Sequence, residues 1–278
     1  KFCEDSLKNF PNLDIYDGFI IDEPSYPFWK DTFEKEIVYC YCPYCQELFK
    51  NKYGETMPNV KLPDDRNSKE WKKLVEFRKQ TMLNWFQRIL LNLENANNDI
   101  CTSINFHPHC VDITKYPNEC CSIIDAFSVD VNSSIKIKEL DNIQIDPYWM
   151  AFGRSPSWYA NFIPIFSDLP HSLGKSSFFW LQGYIEGELQ QKRGILPGEV
   201  TIAVDNSLGK GVDGCLVFLY NGFLQNAPLY SEYTWNKYFD EFSLSVEKYF
   251  NNPVEDAKVK LVEMVVKIMG KREFIKFS

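Results

Sequence analysis

Three cysteines fall in the run Cys40-Tyr41-Cys42-Pro43-Tyr44-Cys45, shortly after an apolar stretch that ends in acid, Gly18-Phe19-Ile20-Ile21-Asp22-Glu23-Pro24. A C-x-C-x2-C cluster brings thiolates close enough to share one metal ion, and a closed Zn²⁺ site takes four such ligands. A carboxylate that ends an apolar strand just before a proline turn stands where an α/β barrel exposes its chemistry. One arrangement accounts for both features: a metal-stapled loop bracing a barrel active site. Cys3 is the upstream candidate for the fourth ligand, and a site of four thiolates is structural because no position is left for water. The competing reading is a trio of buried, inert cysteines beside a tyrosine patch.

Composition narrows the partners. At 278 residues the chain can bury a sizeable core as one large domain or two small ones. Aromatic residues reach 16%, and their flat faces suit sugars or bases as well as core packing. The net charge of −8, with no basic stretch to neutralise phosphates, argues against nucleic acid. No apolar run approaches the ~20 residues that span a bilayer. Nine cysteines is an odd number, so a full disulfide framework would leave a thiol over. Metal-bound thiolates favour a reducing compartment, the cytoplasm before others.

Short apolar runs ending in polar or proline turns predict strands at Asp17 to Pro24, Ile100 to Pro108, Asn142 to Tyr148, Ser177 to Tyr184 and Cys215 to Asn221. Asp125 to Val131 is a weaker sixth. These runs do not alternate cleanly, which suits strands covered on both faces. Between them lie helical patterns. From Glu70 to Leu93 the residues Trp71, Leu74, Val75, Met82, Trp85, Phe86, Ile89 and Leu93 share one face, and Asn67 with Glu70 predicts the cap. Tyr44 to Tyr53 predicts a short helix with Cys45, Leu48 and Phe49 inward and Gly54 as its stop. Pro197 to Gly209, Leu229 to Phe250 and Val254 to Met269 complete the set.

Strands alternating with helices imply parallel β/α units. The expected fold is therefore α/β, a (β/α)8 TIM barrel whose first strands are not in this chain; a complete open sheet of five or six strands is the rival. Residues 1–250 would hold five to six β/α units with the cysteine loop, and 251–278 a terminal amphipathic helix packing on them. Glu23 is the candidate general acid, since burial at a strand end raises a carboxyl pKa. A capping or salt-bridged acid is the plainer account. His107, His109 and Cys110, with Cys101, Cys120 and Cys121, make a second metal site conceivable, but substrate contact or packing suits them better.

Asp22-Glu23, then Cys40-x-Cys42-x-x-Cys45, then Phe49 and Lys52-Tyr53-Gly54, resemble the glycoside hydrolase family forty-two β-galactosidases. In that family an Asn-Glu pair ending the fourth barrel strand carries the acid/base, and an upstream cysteine completes a zinc site. Leu140 to Tyr148 resembles the sixth strand, Phe178-Phe179-Trp180-Leu181-Gln182 the seventh, and Pro197-Gly198-Glu199 with Leu208 to Gly214 the approach to the eighth. The resemblance covers roughly residues 1 to 225. It implies a carbohydrate substrate, a structural zinc on Cys3, Cys40, Cys42 and Cys45, and Glu23 as acid. It also implies a further N-terminal segment, or a second copy of the chain, completing the barrel.

Two positions depart from the pattern. Asp22 stands where the family has Asn, and Gln182 where its nucleophilic Glu would sit. An amide cannot form the glycosyl ester of a retaining mechanism. Glu186 could serve as nucleophile instead, Asp146 could act as base toward water with inversion, or the barrel could bind sugar without cleaving it. Asp22, His107, Tyr148, Trp180, Gln182 and Tyr184 are the candidate substrate contacts, with Trp149 and Trp158 as further stacking surfaces.

Overall fold

The computed structural model describes residues 17–26, 28–30, 36–38, 40–60, 67–111, 125, 127–150, 152–183, 195–218 and 235–249. Cys3, Tyr184, Glu186, Cys120, Cys121 and the expected helix of 251–278 lie outside the described residues. The described strands are β1 Gly18–Asp22, β2 Phe28–Lys30, β3 Glu36–Val38, β4 Cys101–Phe106, β5 Asn142–Ile145, β6 Ser176–Gln182 and β7 Gly214–Phe218. The α-helices are α1 Pro43–Tyr53, α2 Lys69–Ala96, α3 Val131–Ile135, α4 Leu169–Ser172, α5 Glu199–Asp205 and α6 Trp235–Glu247. The chain divides into two units, one comprising Lys1–Ile20, Leu93–Asn105 and Leu140–Ser278, the other Ile21–Asn92 and Phe106–Glu139.

The first unit is organised by a parallel sheet in the order β1-β4-β5-β6-β7, a half-barrel of the α/β type. Chain order and spatial order coincide, as they do when each strand returns through a helical crossover. One face of β5 and β6 carries Ile143, Ile145, Phe179 and Leu181, all buried. The opposite face carries Asn142, Gln144, Phe178, Trp180 and Gln182, of which Phe178, Trp180 and Gln182 pair in register with Gly214, Leu216 and Phe218. Full burial on both faces holds for β5, while β6 alternates between buried and partly exposed positions.

A recurring device fastens the strand starts. Asp141, one residue before β5, accepts through Oδ2 from the backbone N–H of Thr102 on β4 at 2.7 Å. Asp213, one residue before β7, accepts likewise from Ser177 N–H on β6 at 2.8 Å and contacts His171 Nε2 at 2.6 Å. Charge-assisted bonds of this kind fix which strand neighbours which. Gly214 is required where it stands, because a Cβ there would meet the Phe178 ring at 2.6 Å. At the other end of the unit α5 begins on Gly198 (φ 86) without a capping side chain of its own. Glu241 of α6 supplies the cap, accepting from Gly198 N–H at 3.0 Å and Thr201 N–H at 2.9 Å, which also places a negative charge at a helix N-terminus.

The second unit holds the cysteine loop. The α1 helix starts with Pro43 at its first turn and stops at Gly54 (φ 71), whose N–H donates to Lys50 O at 2.7 Å, the ending its sequence predicts. Its inner residue Phe49 is fully buried against Phe77 of α2, ring centroids 5.1 Å apart and edge-to-face. Met57, Val60, Trp71, Leu74 and Val75 close the same core.

Several expectations need correction. The α2 cap is Ser68, whose hydroxyl accepts from Trp71 N–H at 3.0 Å, rather than Asn67. The described residues of the Asp125 to Val131 segment form no strand: Asp130 accepts from Ser133 N–H at 3.0 Å and opens α3, a local bond that extended backbone cannot make. The helix from Pro197 starts two residues later, since Gly198 is left-handed, and gives way to a separate 3₁₀ turn at Leu208–Lys210. The antiparallel pair β2–β3 was not expected.

Candidate functional site

The cysteine triad forms by local means. Cys42 is the residue before α1, and its carbonyl accepts the helix's first bond from Gln46 N–H at 3.0 Å. Its N–H points back at Cys40 Sγ at 3.4 Å, and Gln46 Nε2 holds the Tyr41 carbonyl at 2.6 Å. The chain thereby curls so that the three sulfurs lie within 4.8 Å of one another. Tetrahedral coordination with Zn–S near ~2.3 Å sets sulfurs about 3.8 Å apart, so the donor set fits a metal with a small contraction. Cys42 is held below its usual thiol range, first by the Cys45 backbone N–H and then by the Cys40 side chain. Cys45 is pushed up to about 12, by burial first and then by its two neighbours. One negative charge on the cluster is favoured and further charge is opposed, so three thiolates together call for a cation.

Glu23 is the residue immediately after β1, and its backbone is left-handed, φ 41. An L-residue there costs roughly 1–2 kcal/mol, and such strain gathers at functional positions. Its carboxylate Oε1 lies 3.9 Å from His107 Nε2, the side chains being 44% and 21% exposed respectively. That is more open than the partial burial expected for the acid. Asp22 beside it is exposed. The His107 ring stacks on Phe127 at 5.4 Å, and the Phe127 carbonyl in turn accepts from Tyr26 N–H at 3.0 Å. Among the described residues only the triad of Cys40, Cys42 and Cys45 groups three metal-binding side chains, and His107 is not among them.

The first unit gathers aromatic and amide groups at its strand ends. Asp146 directly follows β5 and is 3% exposed. Trp180 on β6 donates its indole N–H to Gln144 Oε1 on β5 at 2.7 Å. Its ring meets Phe218 edge-on at 6.1 Å, and Tyr148, itself buried, stacks on Phe218 at 5.8 Å. Phe218, 40% exposed at the end of β7, is thus a partner the sequence reading missed. Trp149 and Trp158 are core residues, buried against Tyr159 and Phe162, and offer no stacking face. Gln182 is fully buried, its Oε1 accepting from Met150 N–H at 2.9 Å and its carbonyl from Tyr238 OH at 3.0 Å. Its amide anchors the turn after β5.

Arg78 was also missed, although the sequence holds a signal for it. It falls four residues after Leu74 and three after Val75, on the apolar face of α2, and it is fully buried.

The parallel half-barrel is a fold that this chain shares with known structures. No protein-family profile matches this chain, and no curated protein does. Solved structures do. A β-galactosidase from the Antarctic haloarchaeon Halorubrum lacusprofundi superposes with a TM-score of 0.60 over 91% of this chain, at 12% identity. The chain spans 41% of that enzyme's length. The catalytic domain of a β-amylase from Paenibacillus polymyxa covers 74% of this chain and 53% of its own, with a TM-score of 0.48 and 11% identity. At such identities the likeness is one of fold. Among the described residues no helix is long and apolar enough to cross a membrane.

Proposed function

We propose that this chain is the acid-bearing portion of a glycoside hydrolase barrel that acts on carbohydrate. The observation that carries the reading is Glu23, a carboxylate one residue beyond a barrel strand, held at φ 41 with His107 at 3.9 Å. In its acid form Glu23 donates a proton to the glycosidic oxygen as the C–O bond breaks. Asp146 takes a proton from the attacking water, which gives inversion; Glu186 acting as nucleophile would give retention instead. Trp180 and Tyr148, with Phe218, form the face on which a sugar ring stacks, and Asp22, His107 and Tyr184 complete the substrate contacts; Gln182, expected among them, is fully buried and holds the turn after β5 instead. Cys40, Cys42 and Cys45 hold a structural zinc with Cys3 as fourth ligand, which ties the loop and supplies no chemistry to the substrate. A further segment or a second copy supplies the remaining barrel strands.

A second reading, sugar binding without turnover, is favoured by Gln182. Its amide is engaged by the Met150 N–H and cannot serve as a nucleophile. A panel of aryl glycosides separates the two. Hydrolysis by the native chain that falls about 10²–10⁴-fold in Glu23→Gln supports the acid role, and the anomer released first, followed by NMR, assigns Asp146 or Glu186. Oligosaccharide binding by calorimetry with no hydrolysis of any glycoside would establish the binding reading.

A further inference from the structure

Arg78 of α2 is fully buried, yet its Nε, Nη1 and Nη2 have no hydrogen-bond partner among the described residues. A guanidinium does not escape this by releasing its proton. What faces it is electron-rich. Its Cζ lies 5.2 Å from the centroid of the Tyr26 ring and 5.7 Å from that of Tyr41. Tyr41 stands between Cys40 and Cys42, and its hydroxyl is fixed by the Val60 N–H at 3.3 Å. The Tyr41 ring that the guanidinium faces is joined through the backbone to Cys40 on one side and Cys42 on the other. The cation therefore shares one neighbourhood with the thiol cluster.

Three thiolates on a divalent metal carry one net negative charge, and four carry two. A buried cation beside such a centre answers its charge, whereas beside three neutral thiols it answers nothing. We propose that Arg78 is the counter-charge of the cysteine metal centre, a positioning residue that favours the metal–thiolate state over the free thiols. The inference rests on the reading that Cys40, Cys42 and Cys45 hold a metal. Tyr26 and Tyr41 keep the guanidinium over the loop through their ring faces, so the charge is set in place before the metal arrives.

The test compares the full chain with Arg78→Met, Arg78→Gln and Arg78→Lys, using Co²⁺ and Zn²⁺ in chelator competition. The native chain should bind one equivalent of cobalt with a sulfur-to-metal charge-transfer band. Each neutral variant that folds by circular dichroism should bind about 10–100-fold more weakly. Arg78→Lys should bind more tightly than either neutral variant, because it keeps the positive charge while losing the planar face that packs on the rings. Thermal unfolding gives the second readout. The neutral variants should match or exceed the native chain when stripped of metal, and fall below it when loaded. Equal metal affinity in native and neutral variants overturns the proposal while leaving the metal site standing. So does a melting temperature lowered equally with and without metal, or a loss in Arg78→Lys as large as in Arg78→Met. Failure of the native chain to take up cobalt or zinc overturns the metal reading and the counter-charge together.

Discussion

Replacing Glu23 by glycine separates a side chain kept for chemistry from one kept for the fold. At φ 41 the residue sits in left-handed backbone, where an L-residue bears roughly 1–2 kcal/mol of strain and glycine essentially none. Glycine gives back about 0.5–1 kcal/mol through the greater freedom of the unfolded chain. The side chain is 44% exposed, so little burial is lost, and its 3.9 Å approach to His107 exceeds hydrogen-bond range. Such an exposed pair contributes at most about 1 kcal/mol, discounted further by solvent. The sum places Glu23→Gly between about 1 kcal/mol less stable and about 1.5 kcal/mol more stable, each kcal/mol moving the melting temperature by about 2–4 °C. Glu23→Gln keeps the strain and should stay within about 0.5 kcal/mol of the native chain. Both variants should lose glycoside hydrolysis, measured beside urea unfolding on the same preparations. A Glu23→Gly chain destabilised by more than about 1 kcal/mol, or a Glu23→Gln chain with native activity, would refute the reasoning.

Phe49→Ala removes a fully buried ring packed on Phe77 and Tyr53; urea unfolding should show a loss of about 3–5 kcal/mol, and cobalt titration a weaker site, because Cys45 lies one helical turn earlier on α1. Gln144→Ala deprives the Trp180 indole of its acceptor and should cost about 1–3 kcal/mol in stability, with weaker oligosaccharide binding by calorimetry if Trp180 is a stacking surface. Cys215 is fully buried and pushed up to about 12, by desolvation above all. Its folded pKa lies above the unfolded value, so its contribution is complete below pH ~8.5 and is lost as pH rises toward 12, at up to about 1.4 kcal/mol per unit. Urea midpoints between pH 8 and pH 10.5 should fall accordingly, and the fall should be shallower in Cys215→Ala.

Much of this architecture was legible because it is made by neighbours in sequence. The apolar runs before Pro24 and around Asn142, Phe178 and Cys215 form strands, the 71-to-93 periodicity forms α2, and Pro43 and Gly54 bound α1. The three sulfurs converge through bonds among residues 40 to 46, so their spacing alone predicts the cluster. Where the sequence misled, two local patterns competed. The short apolar run around Val129 resembled a strand, but the Asp130 side chain captures Ser133 N–H and turns the chain into a helix. Other features depend on residues far apart in the chain, and no local pattern records them. Met150 N–H engages the Gln182 amide, Glu241 caps α5 from another helix, and Phe218 joins Trp180 and Tyr148 at the strand ends. The burial of Arg78 over Tyr26 and Tyr41 is of the same kind. Hydrophobic periodicity and caps act over one or two helical turns, whereas a polar group's partner is chosen only when the packed core brings distant backbone within 3 Å.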